Sequence, residues 1–145
     1  MRRVQRTAHL SAPPAEVYAF LTEPANLPRW QTGIVAAERT SPPPTVPGST
    51  ARVVLELMGQ QVTAQITVRE AEPDRHLVLA TSVSGIGIVG SIDLAPSGSG
   101  TEMTLASEVR AESIFMAPIE GIVTSAAEKD LDASLARLQA AMQEP

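Results

Sequence analysis

The chain has 145 residues, 43% of them hydrophobic, yet it holds only four large rings, Tyr18, Phe20, Trp30 and Phe115. That size suits a single domain over residues 1–145 with an aliphatic core. A formal charge of −5 argues against a nucleic-acid partner, whose phosphates need clustered cations, and the absence of cysteine removes disulfides, thiolate metal sites and cysteine nucleophiles.

The N-terminus, residues 1–7, is basic but lacks the unbroken apolar stretch of a signal peptide. No window approaches the roughly 18 apolar residues of a spanning helix. The expectation is a soluble cytoplasmic protein without stable membrane insertion.

Val4, Ala8 and Leu10 alternate as a half-buried strand over residues 3–10 requires. Ser11 then offers a hydroxyl N-cap, Pro13 and Pro14 suit a first helical turn, and Glu16 meets the helix dipole. A short helix through Leu21 follows, with Val17, Phe20 and Leu21 on one face. Pro24 and Pro28 break the next stretch, so residues 24–30 form a second short helix ending at Trp30.

From residue 33 to 110 the pattern is that of an antiparallel meander. Strands are expected over 34–39, 51–58, 62–70, 76–84, 88–94 and 102–110. The proline-rich segment 41–48 must be a loop, and Gly59-Gln60, Glu72 to Arg75 and Ser97 to Gly100 mark tighter turns. After Arg110 the period changes to about 3.6. Ile119, Ile122, Val123, Ala126, Ala127, Leu131, Leu135, Leu138 and Met142 then form one stripe of a long amphipathic helix, opposite Glu128, Lys129, Asp132 and Arg137. One strand, two short helices, six strands and one long helix make an α+β domain in which a curved antiparallel sheet wraps that helix.

Three segments resemble the START-like (SRPBCC) superfamily, in its polyketide cyclase/dehydrase and lipid-transport branch. Ser11 to Leu21 resembles the opening signature of a Pro followed by Glu-Val-aromatic-x-x-Leu. Glu23 to Gln31 is similar to the "D-P-x-x-x-P-x-W" helix, and Glu128 to Leu138 to the closing "D-L-x-x-L-x-x-L" helix. The resemblance covers almost the whole chain. It implies the Bet v 1-like helix-grip fold: seven antiparallel strands gripping the C-terminal helix around an internal apolar cavity. It specifies function less well, because members include ligand carriers, cyclases, hydratases and chaperone activators.

The strand faces make a cavity physically reasonable. Val53, Leu55 and Leu57 alternate on one strand, Ala64, Ile66 and Val68 on the next, then Leu77 and Leu79, Ile88 and Ile92, and Met103 and Leu105. Gly90 falls within these sets, and no ring occurs between Trp30 and Phe115. The alternative is that aliphatic side chains interdigitate into a solid core. Thr81, Ser107 and Gln65 would supply polar groups nearby. Phe20 and Trp30 are read as core or pocket mouth, and Ile114, Phe115 and Met116 as a portal lip beside Ile119, Ile122 and Val123.

Machinery for acid/base chemistry is sparse. His9 and His76 both read as surface-facing, and neither has the spacing of a metal site. Glu56, Glu70, Asp93, Glu102 and Glu108 lie out of phase with the buried sets, as solvated sheet charges do. The glycines of Gly85 to Gly90 lack phosphate-loop spacing and lead into a strand, so they read as a hairpin tip with Ile86 helping to gate the cavity. No cofactor or metal is expected. The reading is a carrier or sequestering protein for a small hydrophobic, lipid-like or polyketide-like ligand, with a cyclase/dehydratase enzyme as the alternative. A chaperone-activator type of interaction domain has thin support in Val54 and Met58 on the outward side of one strand, which also suit a homodimer edge.

Overall fold

Period-two alternation of aliphatic residues produces one continuous antiparallel ladder. The computed structural model describes residues 2–57, 59–83 and 85–143. Strand β1 (Arg2–Leu10) leads to helix α1 (Pro14–Leu21), a 3-10 turn at Pro24–Asn26 and the single-turn α2 (Leu27–Trp30). The meander follows as β2 (Ile34–Arg39), β3 (Thr50–Leu57), β4 (Gln60–Glu72), β5 (His76–Val83), β6 (Ile86–Ser97) and β7 (Gly100–Ala111). A second 3-10 turn, Ile114–Met116, enters the 27-residue α3 (Ala117–Gln143). The predicted strand ends at Met58 and Ser84 lie outside the described residues.

The strand order is β1-β7-β6-β5-β4-β3-β2, every neighbouring pair antiparallel. Only β1 leaves the meander order, closing against β7 after the two short helices have crossed the end of the sheet. The register builds a row in which Val68 faces Leu79, Leu79 faces Gly90, Gly90 faces Ser107 and Ser107 faces Val4. The smallest residues therefore stand at the middle of the inner surface. The segment 40–49 is a loop, as its prolines require, and Thr40 donates to Thr50 across its base at 2.8 Å.

Helix α3 packs against β1, β7 and α2. Leu131, Leu135 and Leu138 join the buried cluster that includes Val4, Leu10, Val17, Leu21, Leu27, Trp30, Met103 and Leu105. Trp30 is only 1% exposed, so it is core rather than pocket mouth. Arg6 reaches from β1 to Asp132 of α3 at 2.9 Å, and Arg137 donates to the Pro28 carbonyl, so the helix is also fastened at its polar margin.

Two local readings are corrected. Helix α1 begins at Pro14 and its flanking residue is Pro13, with no side-chain cap, so Ser11 does not cap it; the two prolines set an extended-to-helical junction that places Ser11 too far upstream. Ile86 is buried in the core and does not gate the cavity. Its hairpin tip is fixed from outside: the Glu112 N–H donates to the Gly85 carbonyl at 2.9 Å, and Met116 lies so close that a Cβ at Gly85 would come within 2.9 Å of it.

Candidate functional site

The aliphatic rows do not close completely under the middle of α3. A cavity of about 190 Å³, partly open to solvent, lies between the inner face of β3 to β7, the loop after α2 and the helix segment from Ala127 to Ser134. Nine of the residues expected from strand phase line it: Val53, Leu55, Ile66, Leu79, Thr81, Ile88, Gly90, Leu105 and Ser107. A Cβ built on Gly90 would meet nothing nearer than the Ala106 carbonyl at 3.9 Å. The floor is thus open because a glycine sits where a β-branched residue would fill the space.

The other expected residues lie elsewhere. Ala64 and Ile92 are buried core, as is Trp30. Phe20 packs against the core edge with the Arg29 guanidinium 5.1 Å from its ring centre. Phe115 is 87% and Ile122 59% exposed, while Ile119 and Val123 are half-buried outside the lining. The Leu57 side chain lies outside the described residues. Helix residues 117–126 do not reach the cavity because α3 first covers it at Ala127.

The polar rim was not foreseen. It comprises Gln31, Thr32, Glu56, Asp130 and Ser134, with Gly33, Ile34, Ala80, Ala106, Ala127 and Leu131 completing the wall. Gly33 adopts φ 89°, which turns the chain out of α2, and its carbonyl accepts from the Glu56 N–H at 2.7 Å. Thr32 then clips this loop to the helix. Its N–H donates to Ser134 Oγ at 3.0 Å, and its hydroxyl donates to the Asp130 carbonyl at 3.0 Å and lies 3.1 Å from Ser134 Oγ. Ser134 is buried, so this clip is protected from water and fixes the rim.

Burial pushes the Asp130 carboxyl above its ordinary value, with the Thr32 side chain opposing the shift. Glu56, expected to be a solvated sheet charge, is exposed but stands at the rim, because β3 ends beside the bulge between Ile34 and Ala36. Deeper in, the Thr81 hydroxyl donates to the Gln65 carbonyl at 2.9 Å, whereas the Ser107 hydroxyl has no protein partner among the described residues. A second, smaller pocket of about 40 Å³ lies on the far side of Ile66 and Leu79, which line both spaces.

Neither histidine reaches the cavity. His9 is exposed on β1. His76 is held between Asp93, 2.6 Å from Nδ1, and Glu70, 3.4 Å from Nε2. Among the described residues no group of His, Asp or Glu side chains is placed to hold a metal ion, and no helix is long and apolar enough to cross a membrane.

A family model described as polyketide cyclase/dehydrase and lipid transport matches residues 1–143. Comparison with curated proteins gives no match. Among solved structures, a START superfamily protein from Mycobacterium smegmatis aligns with TM-score 0.79 at 14% identity, covering 97% of each chain. Ara h 8.0201 aligns with TM-score 0.76 at 11% identity, again over 97% of each chain. The di-domain ARO/CYC BexL from the BE-7585A biosynthetic pathway aligns with TM-score 0.76 at 21% identity, covering 96% of this chain and 45% of BexL. At these identities the likeness establishes the helix-grip fold and carries no activity with it.

Proposed function

The chain belongs to the polyketide cyclase/dehydrase and lipid-transport family, and from that premise we propose that it binds a small hydrophobic ligand in the cavity beneath α3, as a carrier or sequestering protein. The single observation that carries this reading is the 190 Å³ space whose lining includes the cross-strand pair Gly90 and Ser107. Cores are normally packed to crystal density, so a void of this size in a small domain is a departure from the default. Its wall is mainly aliphatic and most of its polar groups gather at one rim, the arrangement of a site that encloses an apolar body and orients one polar end. Val53, Leu55, Ile66, Leu79, Ile88 and Leu105 would supply the apolar contacts, with Thr81 and Ser107 within reach.

A neutral two-ring dye whose emission responds to apolar surroundings, 1-naphthylamine, tests the reading. The wild-type protein should bind it saturably at one site, and Gly90→Val should abolish that binding while the cooperative thermal transition is kept. Failure of the wild type to bind the dye, or equal binding by Gly90→Val, would overturn the assignment of the cavity. Gentle purification followed by extraction and mass spectrometry supplies the natural ligand.

One observation favours a second reading, an enzyme of the cyclase/dehydratase type: Asp130 is an acid at the rim whose proton is held above its ordinary range. A carboxyl at the mouth of an apolar cavity is placed where it could exchange a proton with a bound polyketone. Incubation with a polyketone and analysis for water loss separates the readings, since a carrier releases its ligand unchanged.

A further inference from the structure

The geometry points to a compact amphiphile without negative charge, an alcohol or amine carrying a short chain or one to two rings, as the ligand of this cavity. The inference rests on the cavity being the binding site, and it narrows that reading by size, charge and hydrogen-bond sense.

Size comes first. An apolar cavity of about 150 Å³ accepts a benzene molecule, so the 190 Å³ here encloses little more than that. Ile66 and Leu79 close the inner end and separate it from the smaller pocket. A long acyl chain does not fit without moving them.

Charge follows from the lining. Glu56 and Asp130 both line the cavity, and among the described residues no Arg, Lys or His does. Neither carboxyl forms an ion pair among the described residues. Of the basic side chains near α3, Arg2 pairs with Glu120, Arg6 with Asp132 and Arg137 with the Pro28 carbonyl, while Lys129 is exposed to solvent and does not line the cavity. Arg39 lines the smaller pocket beyond Ile66 and donates to the Thr22 carbonyl at 2.8 Å. An anionic head at the rim would meet two like charges with no cation in the lining to offset them, at the short range where such repulsion is strongest.

Hydrogen-bond sense agrees. Carboxylates only accept, the Thr81 hydroxyl already donates to Gln65, and Ser134 Oγ already accepts from the Thr32 N–H. Unused capacity at the rim is therefore rich in acceptors, with the Gln31 amide as the available donor there and the Ser107 hydroxyl deeper in. An O–H or N–H group on the ligand finds several partners there, whereas a carboxylate, which only accepts, finds the Gln31 amide alone at the rim.

The test is displacement of bound 1-naphthylamine at pH 7.5 and low salt by matched eight-carbon ligands, octanol, octylamine and octanoate. Octanol and octylamine should displace the dye at concentrations about tenfold lower than octanoate. In Glu56→Gln/Asp130→Asn that gap between octanoate and octanol should shrink to about threefold, and raising the ionic strength should narrow it in the wild type. Octanoate displacing the dye as well as octanol, or a gap untouched by the double substitution, overturns the inference and leaves the cavity reading standing. A protein that binds no dye at all overturns both.

Discussion

The two halves of α3 carry the same apolar stripe and meet different fates. In the C-terminal half Leu131, Leu135 and Leu138 are buried, Leu138 completely, against β1, β7 and α2. In the N-terminal half Ile122 stays 59% exposed, Ile119 and Val123 are only half-covered, and the turn before them leaves Ile114 82% exposed. The changeover falls at Ala127 to Leu131, where the helix roofs the cavity. Helical period determines which side chains share a face; whether that face is covered depends on what the rest of the chain places opposite it. One half of α3 thus serves as core and the middle as the roof of a site.

Truncation breaks the comparison most directly. Leu138→Ala should cost about 2–5 kcal/mol in urea unfolding, the range for deleting a fully buried leucine, whereas Ile122→Ala should stay within about 0.5 kcal/mol. Similar losses at the two sites would mean that the halves are equally covered and the division is wrong. Next in size is the partition between the two pockets. Ile66→Ala should cost about 1–3 kcal/mol, less than a full core deletion because Ile66 is only half-buried. It should also join the two spaces, so that the chain length giving tightest displacement of the dye increases in an alcohol series. An unchanged length optimum would show that Ile66 is not the end wall.

Gly90→Val sharpens the distinction between core and roof in the opposite direction. A glycine inside a strand weakens it by about 0.5–1 kcal/mol, and the new methyls would enter open space. The variant should therefore gain about that much stability by thermal unfolding while losing dye binding. A loss of stability instead would mean that the space is not free.

Much of this was legible in the residues. Period-two alternation and turn chemistry locate all seven strands, and strand ends differ by one to three residues where ladder bonds continue into polar positions, as at Gln60 and Ser97. The same alternation gave the inner-face residues from Val53 to Ser107, because a strand's phase decides which face each side chain occupies. The rim was not legible. Gln31 to Gly33 belong to a loop without a period, and Glu56 reaches the site only through the β2 bulge. Asp130 and Ser134 did leave a signal: with Ala127 and Leu131 they stand at i, i+3, i+4 and i+7, one helix face, which the apolar stripe alone obscured. Phe115 shows the converse error, since a ring beside a predicted pocket proved exposed.

On the outer face, away from α3, His76 provides an internal control for pH effects. Burial alone would lower its pKa, but the hydrogen bond and charge of Asp93, with Glu70, outweigh that and leave it above the ordinary 6.5. The raised value means that the stabilisation is fully present below pH 6.5 and fades as pH rises through the folded-state value. His76→Gln should therefore cost about 0.2–1 kcal/mol near pH 6, the range for partly exposed ion pairs, and less near pH 9. A cost independent of pH would remove the charged pair from the account. This response should be insensitive to bound ligand, unlike anything measured at the cavity rim.

Asp130 gives the smallest effect, running in the same direction with pH but felt as a penalty at neutral pH instead of a gain at acid pH. Desolvation beside the cavity disfavours its ionised form, so the folded-state pKa stands above 3.8 despite the Thr32 side chain. A raised carboxyl contributes its full stability below pH 3.8 and loses it as pH rises through the folded value, which leaves a penalty at neutral pH. Asp130→Asn keeps the backbone carbonyl that Thr32 uses and removes that penalty. Because the residue is exposed to solvent, the gain near pH 7 should be only a few tenths of a kcal/mol and should vanish near pH 3. Urea titrations at the two pH values measure it, and a gain that persists at pH 3 would assign it to packing instead of charge. If the pH-dependent gain is accompanied by weaker discrimination against octanoate, the same carboxyl that costs the fold a little stability is what selects the ligand, the trade expected when a residue is kept for function.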